Sequence, residues 1–362
     1  MSTSQLPLFA IYIHPDDLRE LRRDIWNDEL VPATLTFHKK KFHIDISYRG
    51  SHIRKFKKKS YFISFYKPYF FHGAHELHLN AEYKDPSLMR NKLSFDFFSA
   101  LGVLSPSSQH VLLSINGKHE GIYLQLESVD EFFLKKRQLP IGPIFYAVDD
   151  DANFSLISSF DKAPKTSLDA GYERKLGTQE DHRYLEEFIF QINTTPKYEY
   201  ESVITKILDV NKYLRWLAGV VCTQNFDGFV HNYALYRNPD SGLFEIIPWD
   251  FDATWGRDIN GKQMDYDYVR IEGFNTLTAR LLDTERFRKM YYDIMKHTLD
   301  HEFTVGFMKP KVEQLYQQLR PHVLNDPYIK DRMEQFDDEP DWICEFIEKR
   351  NAYLKSQLSA LL

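Results

Sequence analysis

The chain has 362 residues, of which 43% are hydrophobic and 15% aromatic, and its formal net charge is −6. This composition can build a sizeable core and excludes a disordered scaffold, while the negative charge argues against general nucleic-acid binding. Two cysteines, Cys222 and Cys344, are too few for a disulfide framework or a zinc site. The first residues carry no basic segment followed by an apolar run, and no stretch reaches the roughly 20 apolar residues of a membrane span, so we expect neither export nor membrane contact.

Alternating apolar residues predict a mainly β N-terminal region. The pattern indicates strands over residues 8–13, 33–37 and 42–47, with a helix over 15–26 between the first two. A further strand, over 60–66, follows a stretch rich in lysine and arginine. Most of that basic stretch is expected to form solvated turns and edges.

The middle of the chain combines a helix, a hairpin and a long polar segment. The helix is predicted over 85–100, and strands over 111–115 and 121–126 flank an Asn-Gly pair that favours a tight hairpin turn. We place the crossing between two lobes at 142–148. The polar, weakly periodic residues 149–180 are predicted to form a long loop that faces the substrate.

The C-terminal part is predicted to be largely helical. Helices over 181–192 and 211–223 are followed, after residue 258, by mostly helical sequence. Apolar residues recur at helical intervals to the end, so the final helix is expected to pack rather than form a tail. The pattern predicts an α+β fold with two lobes, a mainly β lobe over 1–142 and a mainly helical lobe over 143–362.

The most informative residues for chemistry follow the second of these helices. Asp227 and Asn232 stand five residues apart. Kinase catalytic loops have this spacing, and there the Asp takes the proton of the substrate hydroxyl while the Asn holds a metal. A predicted hairpin over 233–247 then returns Asp250 and Asp252 to the loop it left. A candidate base and candidate metal ligands are thus brought together, as phosphoryl transfer requires.

Other interpretations of these residues stay open. Asp and Asn are common turn residues, so the spacing alone arises in many proteins. Asp227 and Asp250 also suit the carboxylate pair of a glycosidase, although that reaction would leave Asn232 without a role. His231 is expected to orient the loop or to pack beneath it, since no second His or Cys lies at metal-ligand spacing.

Seven short segments spread along the chain form one recognisable pattern. They are residues 49–50, 58–61, 85–93, 121–124, 225–228, 231–233 and 247–256. Together and in this order they resemble the spore coat protein kinases of the CotH family, a more specific signal than any single motif. The resemblance implies an atypical protein kinase-like fold that binds ATP with Mg²⁺ or Mn²⁺. It further implies phosphorylation of Ser residues in spore coat proteins, needed for coat assembly.

This resemblance gives roles to the acidic loop residues. Asp227 matches the family's catalytic Asp, and Asp250 and Asn232, assisted by Asp252, are expected to hold the metal through oxygen ligands. We expect a monomer that is made in the mother-cell cytoplasm and located in the spore coat. Its expected partners are coat proteins, with no nucleic acid and no membrane.

Phosphate binding is assigned to basic residues of the N-terminal lobe. In a kinase-like lobe, a strand lysine reaches the nucleotide phosphates. Lys59 is preferred to Lys58, because alternation places it on the apolar face of the following strand, although a bulge would exchange the two. The turn at 48–52 has a single glycine, so it cannot offer the backbone amides of a glycine-rich phosphate loop. Arg49 is expected to contact phosphate in their place, with Arg54 as a further candidate.

Two further features of the nucleotide site are the ion-pair partner of the lysine and the residues that hold the base. The ion-pair partner of the lysine is left open among Glu82, Asp96 and Glu127. Tyr146 and Trp249 are expected to hold the base from opposite sides, because flat aromatic faces bind a base without reading its edge.

Two other functions remain beside the kinase. One is a kinase-shaped enzyme that transfers a nucleotide, and the other is a catalytically silent scaffold for coat assembly. The intact Asp227, Asn232 and Asp250 count against the scaffold. Transfer of the terminal or of the alpha phosphate of ATP would separate the two enzymes.

Overall fold

The computed structural model describes residues 5–67 and 70–362. The chain divides into two compact units. The first consists of residues up to 92, 106–128 and 309–342, and the second of 93–105, 129–308 and 343–362. Each unit therefore takes segments from both sides of the predicted boundary at 142 and 143. Helices and strands occur together, which confirms a mixed α+β fold, whereas the two-lobe arrangement stays a prediction.

The first unit is built on a closed β-barrel. Within its described residues the strands are β1 (Leu8–Ile13), β2 (Val31–Phe37), β3 (Lys40–Arg49), β4 (Ser60–Phe65), β5 (Glu76–Asn80), β6 (Ser108–Ile115) and β7 (Lys118–Glu127). They follow the order β1-β2-β3-β4-β5-β7-β6 around the barrel. Neighbouring strands are antiparallel except β1 and β6, which pair in parallel and close the ring. The predicted mainly β region is thus a barrel without open sheet edges.

Apolar residues that alternate along these strands fill the barrel. They include Phe9, Ile11, Leu35, Ile44, Ile46, Ile63, Leu79 and Leu113. The predicted strand over 8–13 and the hairpin of β6 and β7 are confirmed. Asn116 and Gly117 both have positive φ, 50° and 79°, as a tight two-residue hairpin turn requires.

Two helices differ from their predicted bounds. Helix α1 (Pro15–Arg23) is shorter than predicted, and α2 (Arg90–Ala100) begins five residues after Asp85. The reason is that the Asp85 carboxylate accepts hydrogen bonds from the backbone N–H groups of Ser87 at 2.8 Å and Arg90 at 2.9 Å. The carboxylate therefore holds a turn before the helix can start. The Arg90 guanidinium, fully buried, pairs with Asp85 and Glu339 at 2.6 Å each.

The second unit contains a four-stranded sheet covered by helices. Its strands are β8 (Ile144–Ala147), β9 (Tyr172–Leu176), β10 (Tyr233–Arg237) and β11 (Phe244–Pro248), in the order β11-β10-β8-β9. Its helices are α3 (Glu131–Lys136), α4 (His182–Thr194), α5 (Lys197–Ile204), α6 (Val210–Thr223), α7 (Thr276–Leu282) and α8 (Glu285–Asp300). Helices α9 (Val305–Val323) and α10 (Met333–Gln357) contribute residues to both units.

The prediction of one long loop over 149–180 is wrong in part, because β9 lies within it and pairs with β8. The hairpin of β10 and β11 is confirmed. The final helix also packs as predicted, since the Arg350 guanidinium of α10 donates to the carbonyl of Val221 at 2.8 Å. Within the described residues, no helix combines the length and apolar character that crossing a bilayer demands.

Candidate active site

Helix α6 leads directly into the loop that carries Asp227. The helix ends at Thr223, and Gln224 adopts a left-handed backbone with φ of 60°, which turns the chain. Asp227 then opens a single 3₁₀ turn over Asp227–Phe229. The Asp227 carbonyl accepts a hydrogen bond from the backbone N–H of His231 at 3.0 Å. Asp227 is half-buried in this turn, so its carboxylate keeps access to solvent.

Asn225 ties this loop to the loop that follows the hairpin. Its Nδ2 donates to the carbonyl of Asp250 at 3.3 Å, and its Oδ1 accepts from the N–H of Gly228 at 3.0 Å. The side chain is buried, so loss of either partner would leave a polar group without water. Sequence reasoning gave Asn225 no role, although it lies in one of the segments that carry the family resemblance.

The hairpin brings Asn232 and Asp250 to the same end of the sheet. Tyr233 of β10 lies opposite Pro248 of β11, and the N–H of Trp249 donates to the Asn232 carbonyl at 3.1 Å. Asn232 and Asp250 both have left-handed backbones, with φ of 61° and 56°. Asn and Asp adopt this conformation more readily than other residues with a side chain. The two turns thus place an amide and a carboxylate at the same end of the sheet, which makes it a candidate site.

Three carboxylates influence one another here. Burial is the largest cause of the raised pKa of Asp227; His231 opposes this rise, while the carboxylates of Asp150 and Asp250 add to it. His231 Nδ1 lies 2.8 Å from Asp150 Oδ1. Asp150 was not predicted as a site residue. It arrives here because it follows β8, which pairs with β10, a non-local pairing that spacing does not reveal.

The segment after Trp249 presents two acidic side chains around a buried ring. Phe251 is fully buried and packs edge-on against Phe98, with ring centroids 4.8 Å apart. Its neighbours Asp250 and Asp252 are exposed and half-buried. The buried ring anchors the segment, and both carboxylates lie outside the core.

The residues present suit a hard divalent cation that is held partly by protein oxygens and partly by phosphate oxygens. No group of three or more His, Cys, Asp or Glu side chains in the described parts of the chain could hold a metal ion. Asp250, Asp252 and Asn232 instead offer carboxylate and amide oxygens, and Mg²⁺ commonly binds few protein oxygens together with phosphates and water. The repulsion between Asp227 and Asp250 also favours a cation nearby.

Tyr146 and Trp249 contact each other rather than enclosing a gap. Their ring centroids are 5.1 Å apart and their planes meet at 79°. The Tyr146 hydroxyl accepts a hydrogen bond from the N–H of Val129 at 2.9 Å. A base held between two rings needs space between their faces, so the rings would have to move apart to admit one. The predicted contact of Tyr146 and Trp249 with the base stays a prediction.

In the first unit, Lys58 is the more deeply buried of the two predicted phosphate-binding lysines. Its Nζ donates to the carbonyl of Ile122 at 2.5 Å, lies 3.8 Å from Asp326 Oδ2 and stands 4.6 Å from the centre of the Tyr123 ring. Burial lowers the pKa of Lys58, and Asp326 and Glu82 oppose that change. Asp326, which was not among the three candidates, forms an ion pair with this lysine, and Glu82, which was, also acts on its pKa.

The other basic residues that were predicted to bind phosphate also make contacts within this unit. Lys59 is half-buried, and its Nζ donates to the carbonyl of Arg54. Arg49 donates to the side-chain oxygen of Asn80. Arg54 is buried, bonds three backbone carbonyls and pairs with Asp28. Arg54 is thus engaged in holding its own turn, which does not fit the suggested phosphate contact.

Comparison with known proteins places this geometry in context. The sequence model of the family described as "CotH kinase protein" matches residues 46–354. Inner spore coat protein H of Bacillus subtilis (strain 168) is 62% identical over 358 residues, 99% of each chain. An inner spore coat protein H-like protein of the same organism is 30% identical over 305 residues, 84% of this chain and 87% of that one. Spore coat protein homolog 1 of Rhizopus delemar is 23% identical over 263 residues, 69% of this chain and 42% of that one.

Two solved structures also align with most of the chain. The Helicobacter pylori proinflammatory kinase CtkA is 9% identical with a TM-score of 0.32, covering 92% of each chain. A chain of the HipA, HipB and operator DNA complex of Shewanella oneidensis MR-1 is 11% identical with a TM-score of 0.37, covering 99% of this chain and 75% of that one. At these scores neither match carries an argument about fold or chemistry.

Proposed function

The chain belongs to the CotH kinase protein family, and from this membership we propose that it is an ATP-dependent protein kinase that phosphorylates Ser residues of spore coat proteins. The name of the relative that is 62% identical, an inner spore coat protein, supports a place in the spore coat. Synthesis in the mother-cell cytoplasm is part of the same proposal. The observation that carries the proposal is the meeting of Asp227, Asn232 and Asp250 at one end of the second unit's sheet.

In this reaction Asp227 orients the Ser hydroxyl and accepts its proton late in the transfer. The Ser oxygen forms a bond to the terminal phosphorus of ATP while the bond to the bridging oxygen breaks, and ADP leaves. The raised pKa of Asp227 makes it a stronger base than an exposed Asp. His231, in contact with Asp150, acts to lower the pKa of Asp227 and limits that rise.

Asp250 and Asn232, with Asp252 assisting, would hold Mg²⁺ or Mn²⁺. When bound, the ion would neutralise negative charge on the phosphates. Asn225 keeps the Asp250 loop and the Asp227 loop at a fixed spacing, so the base and the metal ligands stay in register.

The remaining nucleotide contacts of the proposal follow the family resemblance. Lys59 or Lys58, with Arg49, would contact the phosphates, and Tyr146 or Trp249 would contact the base. Nucleotide titrations of Lys58→Ala and Lys59→Ala, read separately against Lys40→Ala, distinguish the two lysines, because Lys40 is exposed at the start of β3.

The test of the proposal is an assay of the purified chain with ATP, Mg²⁺ and a Ser-containing coat protein. ATP labelled at the terminal phosphate should label the protein on Ser, and ATP labelled at the alpha phosphate should not. Label from the alpha phosphate would instead establish nucleotide transfer. No transfer of either label, with the protein folded and substrate present, would favour the scaffold.

A further inference from the structure

A cavity of about 280 Å³ opens beside the barrel of the first unit. Its lining includes the apolar side chains Ile13, Leu18, Leu21, Ile25 and Ile115. It also includes the polar and charged side chains Arg22, Tyr48, Lys57, Lys59, Tyr61, Lys118, Glu120 and Tyr328. Four cationic side chains thus face a single carboxylate in this lining, in a chain whose overall charge is −6.

The carboxylate is already neutralised by its own neighbours. Glu120 Oε1 lies 2.9 Å from Lys118 Nζ, and its other oxygen accepts a hydrogen bond from the Tyr328 hydroxyl at 2.7 Å. The positive charge of Arg22, Lys57 and Lys59 is therefore left without a compensating carboxylate in the cavity lining. Like charges that converge on a walled cleft raise the local concentration of anions.

The cavity also offers hydrogen-bond donors that stay protonated. Arg22 lies near the Tyr48 hydroxyl and acts to lower its pKa. Burial raises the pKa values of Tyr48 and, more strongly, of Tyr61, so both phenols keep their protons at neutral pH. Burial lowers the pKa of Lys59, which an anion beside it would counteract. Guanidinium, ammonium and phenol groups are together the donors that phosphate oxygens prefer.

We propose that this cavity is a binding site for a small phosphate-bearing anion of the size of pyrophosphate. Its volume of about 280 Å³ is close to the lower end of the roughly 300–1,000 Å³ of pockets that enclose drug-sized ligands, which suits a ligand smaller than a nucleoside triphosphate. The site needs neither catalytic turnover nor the acidic loops of the second unit.

The experiment is calorimetric titration of the full chain with inorganic pyrophosphate at low ionic strength and without divalent metal. One saturable site is expected. Arg22→Gln and Lys57→Gln should each weaken binding about tenfold or more, as loss of a charge-assisted hydrogen bond implies. Both residues are exposed, so these variants should keep the unfolding temperature of the wild type. Lys59 is left unchanged because it is also proposed for nucleotide.

Two controls make the result decisive. Lys40→Gln removes an exposed charge outside the cavity lining and should leave the affinity unchanged. Asp250→Asn should also leave it unchanged. The proposal is overturned if no saturable binding occurs, or if Lys40→Gln weakens binding as much as Arg22→Gln. Loss of pyrophosphate binding in Asp250→Asn would assign the anion to the nucleotide site and equally overturn a separate one.

Discussion

Asp227 owes its properties to neighbours from three separate segments. Asp150, His231 and Asp250 all act on its carboxylate, and burial is the largest cause of its raised pKa. A general base works best when its pKa lies close to the working pH, so a raised value suits the proposed role. Because Asp227 must be ionised to accept a proton, activity should fall as the pH drops through its pKa.

The variant His231→Gln tests this electrostatic account. It removes the imidazole that lowers the pKa of Asp227, so that pKa should rise further. The acid limb of the pH profile of kcat/KM should therefore move to higher pH. His301→Gln, an exposed histidine at the end of α8, should leave the profile unchanged. An acid limb that stays in place, or that moves to lower pH, would show that His231 does not set the charge state of Asp227.

Metal binding by Asp250 gives a second prediction at this scale. Few protein oxygens are offered, so metal affinity should be weak alone and should rise when ATP contributes phosphate oxygens. Asp250→Asn should weaken metal-dependent ATP binding roughly tenfold or more. Asp240→Asn, in the exposed turn between β10 and β11, is the matched control. Tight metal binding without nucleotide that survives Asp250→Asn, measured by calorimetry, would exclude this site.

Local spacing was a sufficient guide to some site residues and not to others. Asp227, Asn232 and Asp250 lie along one loop, hairpin and loop, so their proximity could be predicted from the sequence. Asp150 and Asp326 could not be found in this way, because strand pairing or packing brings each of them from a distant segment. Alternation favoured Lys59, but β4 begins only at Ser60, so the rule did not extend to the lysines before it.

At the scale of elements, the connection between the two acidic loops depends on Asn225. Asn225→Ala removes both of its hydrogen bonds, one to each loop. We expect a loss of about 1–3 kcal/mol in the free energy of unfolding. Turnover should fall roughly tenfold or more, because a small shift of the base relative to the metal ligands misaligns the reacting groups.

The control for Asn225 is Asn211→Ala on the exposed face of α6, where the side chain accepts from Arg215 at 2.9 Å and donates weakly to Met290 Sδ at 3.9 Å. It should leave turnover unchanged. Urea unfolding and steady-state kinetics measure both effects. Equal activity of the two variants would mean that Asn225 does not set the geometry of the site.

The hairpin of β6 and β7 offers a matched pair of glycines. Gly121 has φ of 89°, and a methyl group there would overlap the carboxylate of Asp326. That carboxylate accepts from the N–H of Ile122 at 2.7 Å and lies beside Lys58, so it has little freedom to move. Gly121→Ala should therefore lower the free energy of unfolding by about 3 kcal/mol or more.

Gly117→Ala should have a smaller effect, about 1–2 kcal/mol, because φ is also positive there, 79°, but no atom lies within 4 Å of the added carbon. Urea denaturation of the two variants gives the comparison. If Gly121→Ala were no more destabilising than Gly117→Ala, the contact between β7 and Asp326 would not be tightly packed.

Elements were predictable where the pattern was strong and local. The Asn-Gly turn fixed the β6–β7 hairpin, and alternation located β1. The start of α2 was missed because the Asp85 side chain competes for backbone N–H groups that a helix would otherwise use. Strand β9 was missed because it lies in a polar segment and forms only by pairing with β8.

For the whole molecule, the mixed α+β class follows from the sequence, but the closure of the barrel does not. Closure depends on parallel pairing of β1 with β6, strands separated by most of the first unit's sequence, with Leu8 opposite Leu112. The two units are also discontinuous in sequence, since residues 309–342 join the barrel. Residue patterns describe neighbours along the chain, whereas both features depend on long-range packing.

The most direct test of the kinase account is a paired measurement on Asp227→Asn and Asp250→Asn. Both ATP–metal affinity and the rate of Ser phosphorylation are determined for each variant and for the wild type. Asp227→Asn should lower turnover roughly a hundredfold or more and keep ATP affinity within a few fold, since the base acts mainly in the transition state. Asp250→Asn should impair both. Near-normal turnover of Asp227→Asn on a Ser-containing coat protein would contradict the account, because Asp227 would then be only a turn residue.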